Sequence, residues 1–198
     1  MADLDASLDR RPRRRLPLLL GLSLGLLAAS SVAISGSLAI FTSAPTLGGN
    51  VFTTGTVILS LNPATALLTS ANMMPGDTLA GSLVVTNGGT AQLRYALTSA
   101  STNADAKNLM NQISLTVKTL GTSCAVFDGT SLYSGALSAA AFGNPAQGAQ
   151  AGDRVLNGAA NETLCFSANL PAATGHAFQG ATTTTTFTFS AEQTANNP

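Results

Sequence analysis

From Ile40 onward the sequence is a series of short alternating apolar and polar runs, punctuated by Gly, Asn and Pro. A period of two sends successive side chains to opposite faces of an extended strand. Residues 51–61 read as a first strand, with Val57, Leu59 and Leu61 on one face, and Asn62-Pro63 ends it. Met74-Pro75-Gly76-Asp77 is a turn, since proline presets φ and glycine accepts φ > 0. Residues 78–86 form the next strand (Leu79, Leu83 and Val85 on one side), Asn87-Gly88-Gly89 reads as a hairpin turn, and residues 91–99 return with Leu93, Tyr95 and Leu97 inward. Residues 104–112 lack β-branched side chains and read as a short helix. Residues 113–120 alternate again, with Ile113, Leu115 and Val117 inside. Short runs 124–127 and 131–137 flank Asp128-Gly129, and residues 138–160 read as a long loop. Residues 163–168 carry Cys165 in a strand, and residues 182–190 end the series with Phe187 and Phe189 alternating against threonines. The expected fold is all-β, a jelly-roll-like antiparallel β-sandwich with an N-terminal signal helix and a few short helical or loop insertions.

The helix belongs to the first forty residues. Arg10, Arg11, Arg13, Arg14 and Arg15 form a basic block, an almost wholly apolar stretch runs from Leu16 to Ala29, and small residues crowd Ser35–Ala39. That order is the pattern of a secretory signal. Ser37-Leu38-Ala39 fits a cleavage site, with scission between Ala39 and Ile40 by a signal peptidase. The run from Leu16 to Phe41 is also long enough to span a bilayer, so a retained anchor is the alternative, and membrane contact is expected only through an uncleaved signal helix. The paired arginines also raise a twin-arginine export route, which Pro12 and missing motif residues disfavour. The expected organisation is residues 1–39 as signal peptide, 40–50 as an N-terminal segment and candidate donor strand, and 51–198 as the sandwich, with a secreted or cell-surface location.

Past residue 39 the chain holds four basic side chains (Arg94, Lys107, Lys118, Arg154) against six acidic ones, a net of −2. Nothing there forms a polybasic stripe for phosphates, so nucleic acid is not an expected partner. Cys124 and Cys165 are the only cysteines. In an exported chain an even count reads as a disulfide. Two thiols with a single histidine are too few for a zinc site.

Three patches carry a family resemblance. Phe52-Thr53-Thr54-Gly55-Thr56-Val57 follows the small-residue zone, Met74-Pro75-Gly76-Asp77-Thr78 is followed by Asn87-Gly88-Gly89-Thr90, and the chain nears its end with Phe187-Thr188-Phe189-Ser190-Ala191-Glu192-Gln193. In this order they resemble the TasA/camelysin family of secreted bacterial proteins. The resemblance implies a jelly-roll domain exported through a dedicated signal peptidase. It also implies a subunit of extracellular biofilm-matrix fibres, in which one subunit's N-terminal strand completes the next subunit's sheet. Partners would be further copies of the chain and other matrix components. The sequence differs from the best-known members in lacking their longer Lys-rich insertions and in adding the cysteine pair.

Camelysin is described as a metalloprotease, and zinc hydrolysis needs about three protein ligands and a general base. His176 is the only histidine, with no glutamate within a turn of it and no G-x-S-x-G beside it. His176 reads as a loop residue between Gly175 and Ala177; Asp77, Asp128 and Asp153 adjoin glycines and read as turn formers. Asn161-Glu162-Thr163 fits a glycosylation pattern but reads as a strand start. No catalytic residue, metal ligand or cofactor is therefore assigned. Residues 40–51 carry the assembly expectation: Ile40, Phe41, Leu47 and Val51 would fill side-chain pockets along another subunit's sheet edge, with Gly48-Gly49 as a joint. A monomeric cell-surface binding module is the second reading and a metal-dependent protease the third.

Overall fold

The computed structural model describes residues 51–197. Nine strands and one short helix follow in order: β1 (Leu59–Asn62), β2 (Thr78–Asn87), β3 (Leu93–Ser101), α1 (Leu109–Gln112), β4 (Ser114–Thr119), β5 (Ser131–Ala136), β6 (Ala141–Phe142), β7 (Arg154–Leu156), β8 (Asn161–Asn169) and β9 (Thr185–Gln193). One sheet has the order β1-β2-β8-β4-β5. The other is built on β3, which pairs β6 and β7 along one edge and β9 along the other. Every pairing is antiparallel. The chain is all-β, as the alternation predicts.

The core lies where the two inner faces meet. Leu83 and Val85 of β2, Leu115 and Val117 of β4, and Leu164, Phe166 and Ala168 of β8 are buried together with Leu93, Tyr95 and Leu97 of β3. Phe187 and Phe189 of β9 pack against this cluster. Phe166 meets Phe187 with ring centroids 5.6 Å apart, and Tyr95 meets both Phe142 and Phe189 at 6.0 Å. These offset and edge-on contacts suit the ring quadrupoles.

Five local expectations are corrected. Asn87-Gly88-Gly89 does not close a hairpin: β2 and β3 lie in different sheets, so these residues form an arch between them. The cause is the Asn87 side chain, which is fully buried and reaches the strand-end residues Leu156 and Asn157 instead of turning the chain back. The first strand is shorter than residues 51–61, because Thr56–Ile58 bond to the irregular arch and not to a ladder. Helix α1 covers only its last four residues. Ahead of it Asp105 and Asn103 accept backbone N–H groups of Lys107 and Asn108 and hold a turn that competes with helix. Residues 124–127 form a turn, and the stretch 138–160 contains β6 and β7, two- and three-residue strands too short to read from periodicity.

Candidate functional site

The stretch ahead of β1 is the most exposed apolar part of the described chain. Val51 is 82 % and Phe52 96 % exposed, and Val57 and Ile58 are also exposed. Single exposed apolar residues are ordinary; here four fall within eight positions. Its root is fixed: Gly88 N–H donates to Ile58 O at 2.8 Å and Ala91 N–H to Thr56 O at 3.0 Å. Thr56 and Thr90 exchange bonds, each N–H donating to the other's Oγ1 at 3.0 and 3.2 Å. Of the predicted assembly residues only Val51 is placed; Ile40, Phe41 and Leu47, like the predicted cleavage site Ala39-Ile40, lie outside the described residues.

Cys124 and Cys165 are joined in a disulfide with Cα atoms 5.1 Å apart. Cys165 faces outward from β8, opposite in parity to Leu164 and Phe166, yet it is buried because the turn 123–127 lies over it. Lys118, Cys165's neighbour across the β4–β8 ladder, donates to Phe127 O at 2.9 Å and stacks its ammonium 4.8 Å from the Phe127 ring centroid. Asp128 closes the loop by accepting from the Thr122 hydroxyl at 2.6 Å and the Thr122 N–H at 2.8 Å. Those bonds, the hydroxyl's first, hold its carboxyl below the usual carboxylate range.

Two charged groups that periodicity does not flag are withdrawn from solvent, one between the sheets and one on the outer face of β3. Glu162 occupies the inward row of β8. It accepts the Tyr95 phenol at 2.6 Å and pairs with Arg154 at 2.5 Å, so one carboxylate ties both sheets. Burial, then the bond to Glu162, pushes the Tyr95 phenol far above its ordinary range, while Glu162's hydrogen bond raises Arg154. Exchanging Glu162→Gln keeps the size and removes the charge. It is expected to lower stability by about 1–2 kcal/mol in urea unfolding at pH 7, the lower end reflecting the partial exposure of Arg154.

Arg94 lies on the outward row of β3 but is buried under residues 143–153 and the C-terminal turn. Its Nη2 donates to Thr194 O at 3.3 Å and to Asn197 O, and its Nε lies 3.5 Å from Glu192 Oε1. Nη1 has no hydrogen-bond partner among the described residues, and Arg94 borders a cavity of about 100 Å³ lined by Asn144, Asp153, Ser190 and Glu192 among others. The sequence signal for both groups was a charge inside an otherwise apolar alternating run.

The aspartates expected to form turns do so. Asp77 accepts from Met74 N–H at 2.8 Å, and Asp153 accepts from Asn144 and Gln150 N–H groups at 2.9 and 2.8 Å. His176 is exposed, at the start of a 3₁₀ turn (His176–Phe178). No three His, Cys, Asp or Glu side chains converge on a metal-sized site among the described residues. Both thiols are consumed in the disulfide. No helix among the described residues is long and apolar enough to cross a membrane. The predicted signal helix lies outside them.

A family model described as camelysin metallo-endopeptidase matches residues 19–119, about half of the chain, ending at the last residue of β4. No curated protein matches significantly.

Proposed function

This chain belongs to the camelysin metallo-endopeptidase family, and from that membership we propose that it is a secreted, non-enzymatic structural subunit of an extracellular fibre or biofilm matrix. Subunits join by donation of the N-terminal strand to a neighbouring copy. The observation that carries this reading is the exposure of the apolar side chains of Val51 and Phe52, just ahead of the Thr56–Thr90 pair that fixes the chain. An extended segment rooted on one domain and docked on the next repeats head to tail, and a heterologous contact of that kind builds an open filament.

The peptidase chemistry in the family's description calls for a ligand set that the described residues do not bring together. A hydrolytic zinc centre does not fit them, and no reaction step is built on one. The second reading, a monomeric surface module, is supported by the cavity that Arg94 helps to line, its Nη1 being buried without a partner among the described residues.

A chain starting at Ile40 is expected to form fibres visible by electron microscopy, and one lacking residues 40–50 to remain folded and form none. Fibres of unchanged number and shape from the truncated chain would overturn strand donation.

A further inference from the structure

Four strand edges border the two sheets, and they differ in how well they are defended. β1 has four residues, β5 has six with a register shift in its ladder to β4, and β6 and β7 offer two and three. β9 has nine residues, Thr185–Gln193, paired to β3 through nine consecutive positions without a bulge. Among the described residues its far edge has no strand partner. At about 3.3 Å per residue that is an unpaired row of roughly 30 Å.

Natural edge strands carry lysines, prolines, bulges or inward charges that discourage a further strand. β9 has none of the first three. Its one charge, Glu192, is engaged by Gly148 N–H at 3.0 Å and faces Arg94. Phe187 and Phe189 fasten the strand to the core. Thr186, Thr188, Ala191 and Gln193 are exposed.

We infer that the free edge of β9 is the acceptor for residues 46–54 of a second copy. This rests on the strand-donation reading above and says where the donated strand goes. The donor stretch Thr-Leu-Gly-Gly-Asn-Val-Phe-Thr-Thr is as long as β9, begins just after Pro45, and has neither charge nor proline. Alternation places Leu47 and Val51 on one face, as a strand lying beside the Phe187/Phe189 face requires. An uncharged donor suits an acceptor whose only charge is already paired.

The test uses chains beginning at Ile40. Thr186→Lys/Thr188→Lys puts two charges on exposed positions of the edge and leaves the donor intact. It is expected to unfold within a few degrees of the parent chain and to form no fibres. Mixed with the chain lacking residues 40–50, which keeps its acceptor, it is expected to give a 1:1 complex on size-exclusion chromatography that grows no further. Ala191→Lys, a single exposed change, is the second variant and decides the matter if the double one fails to fold. Fibres at parental level from the folded lysine variants, with none from the truncation, overturn the β9 assignment and leave strand donation standing. Fibres from the truncation overturn donation itself, and a parent chain that stays monomeric overturns both.

Discussion

Replacing both cysteines, Cys124→Ala/Cys165→Ala, is expected to lower the stability of the domain by about 4 kcal/mol. The bond closes a loop of 41 residues, and the chain-entropy model gives that figure for the freedom it removes from the unfolded state. For a domain of this size the unfolding midpoint should fall by about 10–15 °C, measured by circular dichroism. Much of the loss acts on the unfolded chain, so the variant should retain the sandwich at room temperature. The folded state changes locally. Cys165 is held under the turn 123–127, and without the bond only the Lys118–Phe127 contacts and the Asp128–Thr122 bonds keep that turn over β8. Amide exchange in residues 122–128 should therefore rise more than exchange in β2 or β3. A midpoint unchanged within about 2 °C would show that the crosslink constrains little of the unfolded chain.

The strands were legible where one face is apolar and the other polar. Leu83 and Val85, Leu93, Tyr95 and Leu97, Leu115 and Val117, and Phe187 and Phe189 all point inward as alternation predicts, since period two is imposed by the backbone itself. What alternation does not carry is which strand lies beside which. Asn87-Gly88-Gly89 has the local chemistry of a hairpin, and only contacts some 70 positions away turn it into an arch between sheets. The same limit hid the Tyr95–Glu162–Arg154 cluster, in which Tyr95 lies 67 positions from Glu162 and all three side chains meet only across the sandwich. Arg94 was hidden for a different reason. Its outward parity predicts solvent, and it is buried because an irregular loop folds over that face. The disulfide was legible from the cysteine count and the expected export, because pairing two cysteines leaves no choice of connectivity. Val51 and Phe52 looked like part of a strand in sequence; the first strand starts only at Leu59, which leaves both exposed and outside any ladder.

Asn87→Ala is expected to cost about 3–5 kcal/mol, large for a change of one small side chain. The Asn87 amide nitrogen donates to Ala91 O at 2.8 Å, Asn157 O at 3.0 Å and Leu156 O at 3.2 Å, and its oxygen accepts from Gly89 N–H at 2.9 Å. Alanine leaves these buried backbone groups without their partner, each costing about 1–3 kcal/mol where water does not reach it. The arch also has little room to adjust, since a Cβ at Gly89 would come within 2.2 Å of Thr56 O. Asn87→Asp separates hydrogen bonding from shape. It keeps the size but turns an ionised carboxylate toward three carbonyl oxygens, and such a site raises the folded-state pKa of the new acid above its unfolded value of about 3.9. For an acid shifted upward the penalty is absent below the unfolded pKa and grows as pH rises toward the folded one. The aspartate variant should therefore be less stable than the alanine variant at pH 7, and the gap should narrow as pH is lowered toward 4. Urea unfolding of both variants across that range gives the comparison. An aspartate variant as stable as the parent at pH 7 would mean that the arch opens to water, and that the passage between sheets is not held by Asn87.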